Sequence, residues 1–175
     1  MMKTSPSDAE VISRDVVVEP TALDRGKAVL MTAIQQELES RRRPTVVPQL
    51  PYEDIRAALS FLERAFGFRE VATSRMVSAD GRILHSYVQV GNSMIGIGSQ
   101  GAHGAISPKT AGSASQYISV YIDDIDAHYE RALAAGARID RGPHDHAREY
   151  RVYEALDLEG HRWRFLQWLH DVPQR

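Results

Sequence analysis

The run QYISVYIDDIDAHYERALAAGARI, Gln116 to Ile139, carries two periodicities in succession. Ile118, Val120 and Ile122 alternate with Tyr117, Ser119 and Tyr121, the two-residue period of a half-buried strand. A helix follows, ending at Ala135-Gly136-Ala137. The same order stands earlier in the chain. TVVPQLPY reads as a strand, and DIRAALSFLERAFGF as an amphipathic helix with Ile55, Leu59, Leu62 and Phe66 on one face. Asp54 is its expected N-cap and Gly67 its expected C-terminal stop. Tyr52-Glu53-Asp54-Ile55 corresponds to Ile122-Asp123-Asp124-Ile125, and Phe66-Gly67-Phe68 to Ala135-Gly136-Ala137. A repeat of this kind means that one supersecondary unit occurs twice.

Each opening is followed by strands. After the first come REVATSRMVS and ILHSYVQV, joined around Ala79-Asp80-Gly81, and then SMIGIG after a turn at Gly91-Asn92. After the second come a loop, EYRVYEAL, and HRWRFLQWL. The expected domain covers residues 44–170, with modules 44–100 and 114–170 separated by a Gly-, Ala- and Ser-rich loop from Ser99 to Ser115. That loop reads equally as a cleft lid or a surface linker. Residues 1–43 read as a polar tail followed by a helical arm from Thr21 to about Ser40. Leu23, Val29, Leu30, Ile34 and Leu38 give the arm one apolar face, and Arg41-Arg42-Arg43-Pro44 ends it. The arm is expected to pack on its own domain or on a second subunit. Residues 171–175 read as a tail.

The chain has 175 residues, 43% hydrophobic and 25% charged, with a formal net charge of −2. Such a balance supplies no basic surface for a nucleic-acid partner. With no cysteine, disulfides, thiol catalysis and thiolate metal sites are excluded. The first ten residues, MMKTSPSDAE, lack the apolar run of a signal peptide, and no stretch is long and apolar enough for a membrane span. A soluble, cytoplasmic protein is expected.

Together with Asp157-Leu158-Glu159-Gly160-His161-Arg162-Trp163 before the last strand, the two openings resemble the vicinal oxygen chelate superfamily of glyoxalase I, bleomycin-resistance proteins and extradiol dioxygenases. The resemblance runs from about Thr45 to Leu169, with Leu158 where the family usually has proline. It implies an α+β fold: two βαβββ modules forming an eight-stranded, U-shaped sheet around a ligand cleft, in a homodimer. The chemistry stays open, because this fold hosts lyases, isomerases, dioxygenases and non-catalytic drug binders.

Alternation then separates core from cleft. It points Gln49, His85, Tyr87, Gln89, Tyr117, Ser119, Tyr121, Arg162 and Arg164 toward the cleft. Metal-binding members place one ligand on each of four strands, and the resemblance maps those positions to Val47, Gly96, Tyr117 and Arg164. None is a normal donor, and a guanidinium repels a cation, so neither a metal nor any other cofactor is expected. A relocated set of Gln49, His85 and Glu154 is the competing arrangement. His144-Asp145-His146 is expected in a solvated loop, His128 on a helix surface, His103 in the long loop, and His161 in a structural role within the turn.

Three functions follow. The first is a metal-free protein that binds a small molecule, sequestering an aromatic or anionic compound such as an antibiotic. The second is a metal-dependent lyase, isomerase or dioxygenase with relocated ligands, or acid/base chemistry through His85 and Tyr117. The third is a non-catalytic scaffold assembled through the arm.

Overall fold

The structure is a computed structural model and describes residues 25–27, 29–32 and 44–170. Residues 25–27 and 29–32 are helical, with Val29, Leu30 and Met31 exposed; the rest of the expected arm and both tails lie outside the described residues. The chain divides into two units at Arg43/Pro44.

The second unit contains both modules. β1 (Gln49–Tyr52) leads into α1 (Ile55–Phe66), then β2 (Arg69–Glu70), β3 (Met76–Val77), β4 (Ile83–Val90) and β5 (Ser93–Ser99). The second module runs β6 (Tyr117–Tyr121), α3 (Ile125–Ala134), β7 (Arg138–His146), β8 (Tyr150–Leu156) and β9 (Arg162–Trp168). Between them lies a short helix, α2 (Pro108–Ala111). The strand order is β1-β5-β4-β2, with β3 also on β4, in one sheet, and β6-β9-β8-β7 in the other. In each sheet the opening strand pairs in parallel with the module's last strand and is itself an edge. The repeat is therefore the βαβββ unit, but its two halves are separate sheets and not one continuous eight-stranded sheet.

Both long helices begin and end where the side chains dictate. Asp54 and Asp124 accept from the backbone N–H three residues on, at 3.0 Å each. Gly67 closes α1 at φ 71°, a left-handed conformation that only glycine adopts without strain. Arg131 of α3 lies against that glycine, 3.0 Å from where a Cβ would stand, and donates to the Ala65 carbonyl at 3.3 Å. The α1 face bearing Ile55, Leu59, Leu62 and Phe66 is buried as its periodicity predicts.

The two helices meet, and one apolar cluster spans both modules: Phe66 and Phe68 pack against Trp163 and Phe165 at ring separations of 4.8 to 6.4 Å. Buried aromatic groups of this size dominate a core's energetics.

The acidic turn before β9 fastens the modules together. Asp157 accepts from the Tyr52 hydroxyl at 2.5 Å, from Trp163 Nε1 at 3.1 Å, and from the backbone N–H groups of Glu159 and His161. Glu159 accepts from the backbone N–H groups of Glu53 and Asp54 and from the Ser107 hydroxyl. His161 Nε2 reaches the Pro51 carbonyl at 2.9 Å, the structural role expected of it.

Two expectations are corrected. His128 is 6% exposed and not on the surface, because α3 turns it toward Phe66, Tyr153 and Phe165. His144-Asp145-His146 is the end of β7 and not a loop. The segment from Ser99 to Ser115 contains α2 and is anchored: Ser107 donates to Glu159, and Lys109 and Thr110 bond to Glu53.

Candidate functional site

Each sheet has its own long helix packed on one face, and the alternate side chains stand on the other. On the first sheet, register places Gln49, Gly96 and Tyr87 in one row and Pro51, Gly98 and His85 in the next. The buried side chains of β1 and β5, Leu50, Tyr52, Ile95 and Ile97, belong to the core, so the alternate positions face the other way. The Gln49 side chain lies across Gly96: a Cβ on Gly96 would stand 2.0 Å from Gln49 Oε1. That oxygen lies 3.0 Å from His85 Nε2. The His85 ring meets Tyr87 edge-on at 4.7 Å, and burial holds its pKa below the usual histidine value. Gln89 spends its amide on the Gly91 carbonyl at 3.0 Å.

The second sheet is different in character. Its rows are Tyr117–Arg162–Leu156–Arg138, Ser119–Arg164–Glu154–Arg141 and Tyr121–Leu166–Val152–His144. Arg164 holds its guanidinium 5.4 Å from the Tyr117 ring centroid, with Nε 3.4 Å from Glu154 Oε1. That Nε is buried and makes no hydrogen bond. Arg162 donates to Asp140 at 2.8 Å. Tyr117, Asp140, Glu154, Arg162 and Arg164 line a hollow of about 230 Å³.

Farther along the same face, Tyr121 stacks on Trp168 at 5.1 Å with ring planes 9° apart. Trp168 meets the edge of Tyr150, and Tyr150 stacks on His146 at 5.0 Å. Strands β6, β9, β8 and β7 thus each contribute one ring. Continuing the alternation past Arg164 reaches Trp168, which is the signal that adds this residue to the face.

The nine sequence-predicted residues therefore fall into two groups. Gln49, His85, Tyr87 and Gln89 stand on the first sheet, whereas Tyr117, Ser119, Tyr121, Arg162 and Arg164 stand on the second.

The positions that would carry a metal do not supply a donor set. Val47 precedes β1, Gly96 has no side chain and the Gln49 amide fills its space, Tyr117 lies under a guanidinium, and Arg164 is a cation beside Glu154. Of the relocated set, Gln49 and His85 are adjacent, but Glu154 is on the other sheet. Among the described residues, no three His, Cys, Asp or Glu side chains come together as a metal site.

The profile of the Glyoxalase/Bleomycin resistance protein/Dioxygenase superfamily matches residues 45–165. The chain belongs to this superfamily. The crystal structure of TioX from Micromonospora sp. ML1 is similar at 32% identity and a TM-score of 0.59, covering 72% of this chain and 99% of TioX. The uncharacterized protein Rv0887c of Mycobacterium tuberculosis H37Rv is 26% identical over 133 residues, 74% of this chain and 77% of that one. The fosfomycin resistance protein FosX from Mesorhizobium loti shares the fold at 20% identity and a TM-score of 0.52, covering 71% of this chain and 91% of its own. No helix among the described residues of this glyoxalase-superfamily chain is long and apolar enough to cross a membrane.

Proposed function

We propose that this superfamily member is a metal-free, cytoplasmic small-molecule-binding protein that works as a homodimer. Its cleft lies between the first sheet of one protomer and the second sheet of a second copy. The observation that carries the reading is Arg164, a cation on the closing strand, over the Tyr117 ring at 5.4 Å and incompletely satisfied by Glu154. A guanidinium 5.4 Å from an aromatic ring centroid offers charge to a carboxylate or phosphate, and the exposed rings of Tyr117 and Tyr121 offer planar surface. The ligand class that fits is an aromatic or anionic compound, such as an antibiotic held out of circulation. What supports the dimer is the separation of the two faces within one chain, where they occupy different sheets with β1 and β6 each at a sheet edge.

Three measurements on the untagged full chain test this. Elemental analysis after incubation with zinc, nickel, manganese and ferrous iron, followed by dialysis, is expected to find no stoichiometric metal. Thermal shift is expected to favour planar aromatic acids over their methyl esters. Sedimentation is expected to give a dimer. Retained metal that is lost in His85→Ala would overturn the metal-free reading in favour of a lyase, isomerase or dioxygenase with relocated ligands.

A further inference from the structure

We infer that Gln49, Gly96 and His85 form a built acceptor subsite for a hydroxyl or N–H group of the ligand, with Gln49 the positioning residue. The inference rests on the reading of the two open faces as ligand faces and adds the chemistry of the first one. Gln49 Oε1 can only accept, so at 3.0 Å it draws the hydrogen of His85 Nε2. The imidazole is then fixed as one tautomer, and Nδ1 keeps its lone pair. Among the described residues, no hydrogen bond occupies Nδ1, whereas His128 and His161 on the core side have their Nε2 atoms against carbonyls. Partial burial favours the neutral ring, which is the form that can accept.

Gly96 makes the arrangement possible. A side chain there would collide with the Gln49 amide, and the glycine has no backbone reason to be present because its φ is not in the left-handed region. Tyr87 holds the ring edge-on from the side, and Gly98 leaves room beside it: a Cβ there would lie 3.6 Å from His85 Cδ2. The first face therefore presents an acceptor, whereas the second presents cationic donors at Arg164 and Arg162. A ligand fitting both carries a donor such as a phenol or enol hydroxyl at one end and an anionic or π-rich group at the other.

The test uses the full chain labelled with ¹⁵N-histidine and two probes, 2-naphthol and 2-methoxynaphthalene, which differ in a single donor. At neutral pH the expected spectrum shows His85 Nε2 as the protonated nitrogen and Nδ1 as the bare one. 2-Naphthol should move Nδ1 and bind about five- to tenfold tighter than its methyl ether, the worth of one hydrogen bond. Gly96→Ala should reproduce Gln49→Ala: both lose the fixed tautomer and the preference for 2-naphthol, with the remaining amide spectrum unchanged. A protonated Nδ1, equal affinity for the two naphthalenes, or a Gly96→Ala spectrum in which the His85 nitrogens do not move would each overturn the subsite while leaving the cleft standing. Failure of both naphthalenes to bind would overturn the ligand faces together with the subsite.

Discussion

Asp157 accepts four hydrogen bonds at 7% exposure, and two of its donors, the Tyr52 hydroxyl and the Trp163 indole, are buried with it. Removing the carboxylate strands all four donors. Asp157→Ala is expected to cost on the order of 3–5 kcal/mol in urea unfolding, and Tyr52→Phe about 1–2 kcal/mol. The Tyr52 hydroxyl itself titrates above its ordinary value, first because it is buried and then because Asp157 is beside it. Arg164 belongs to the opposite case. Its ion pair with Glu154 is a quarter to a third exposed, so Arg164→Gln is expected to change stability by less than about 1 kcal/mol. The same substitution should lower affinity for planar aromatic acids about tenfold, with little effect on their esters, as read by calorimetry. The turn was legible in sequence because its glycine and acids are adjacent. Its partner Tyr52, 105 positions away, was not, since nothing local marks which tyrosine a carboxylate will find.

At the scale of elements, the helix ends were legible because caps are local chemistry: Asp54, Asp124 and Gly67 act within one turn of where they stand. The stretch from Arg69 to Ser78 was not. It reads as one strand but divides into β2, a turn at Ala72–Ser74 and β3, and the Val71 carbonyl there receives the Ser74 hydroxyl. The placement of His128 was equally hidden, because a histidine on a helix announces no direction until the second helix is packed. It now has a measurable consequence. Nδ1 accepts from the Tyr153 hydroxyl at 2.6 Å while Nε2 donates to the Phe66 carbonyl, so the ring sits neutral between the modules. Burial, with Arg131 adding repulsion, pushes its pKa down to about 4 from 6.5. The unfolded chain therefore binds this proton more readily than the folded one. The stabilisation is whole above pH 6.5 and drains away as the pH falls toward 4. The loss is expected to be about 2–3 kcal/mol in denaturant titrations across that window. In His128→Gln the slope should flatten, although stability at pH 7.5 is lower.

At the scale of the molecule, the repeat carried the architecture, because two copies of a strand–helix–strands pattern leave few ways to bury two helix-backed sheets. The sequence pattern did not disclose that the candidate site residues would divide between two sheets, since alternation gives a side chain's face but not which sheets will oppose each other. None of the buried residues of the apolar cluster comes from the first unit among the described residues. A chain of residues 44–175 is accordingly expected to fold with an unchanged amide spectrum for the domain, and a collapsed spectrum would show that the arm contributes to the core. The Glu159 clamp has one more consequence, and it concerns time. The backbone N–H groups it satisfies, on Glu53 and Asp54, precede it by 105 or 106 positions. A ribosome adding about 5–20 residues per second delivers that carboxylate on the order of 5–20 s after the segment it completes. Through that interval the nascent first module waits with its opening turn unfinished. Its stretch of synthesis is therefore when a chaperone has the most to hold.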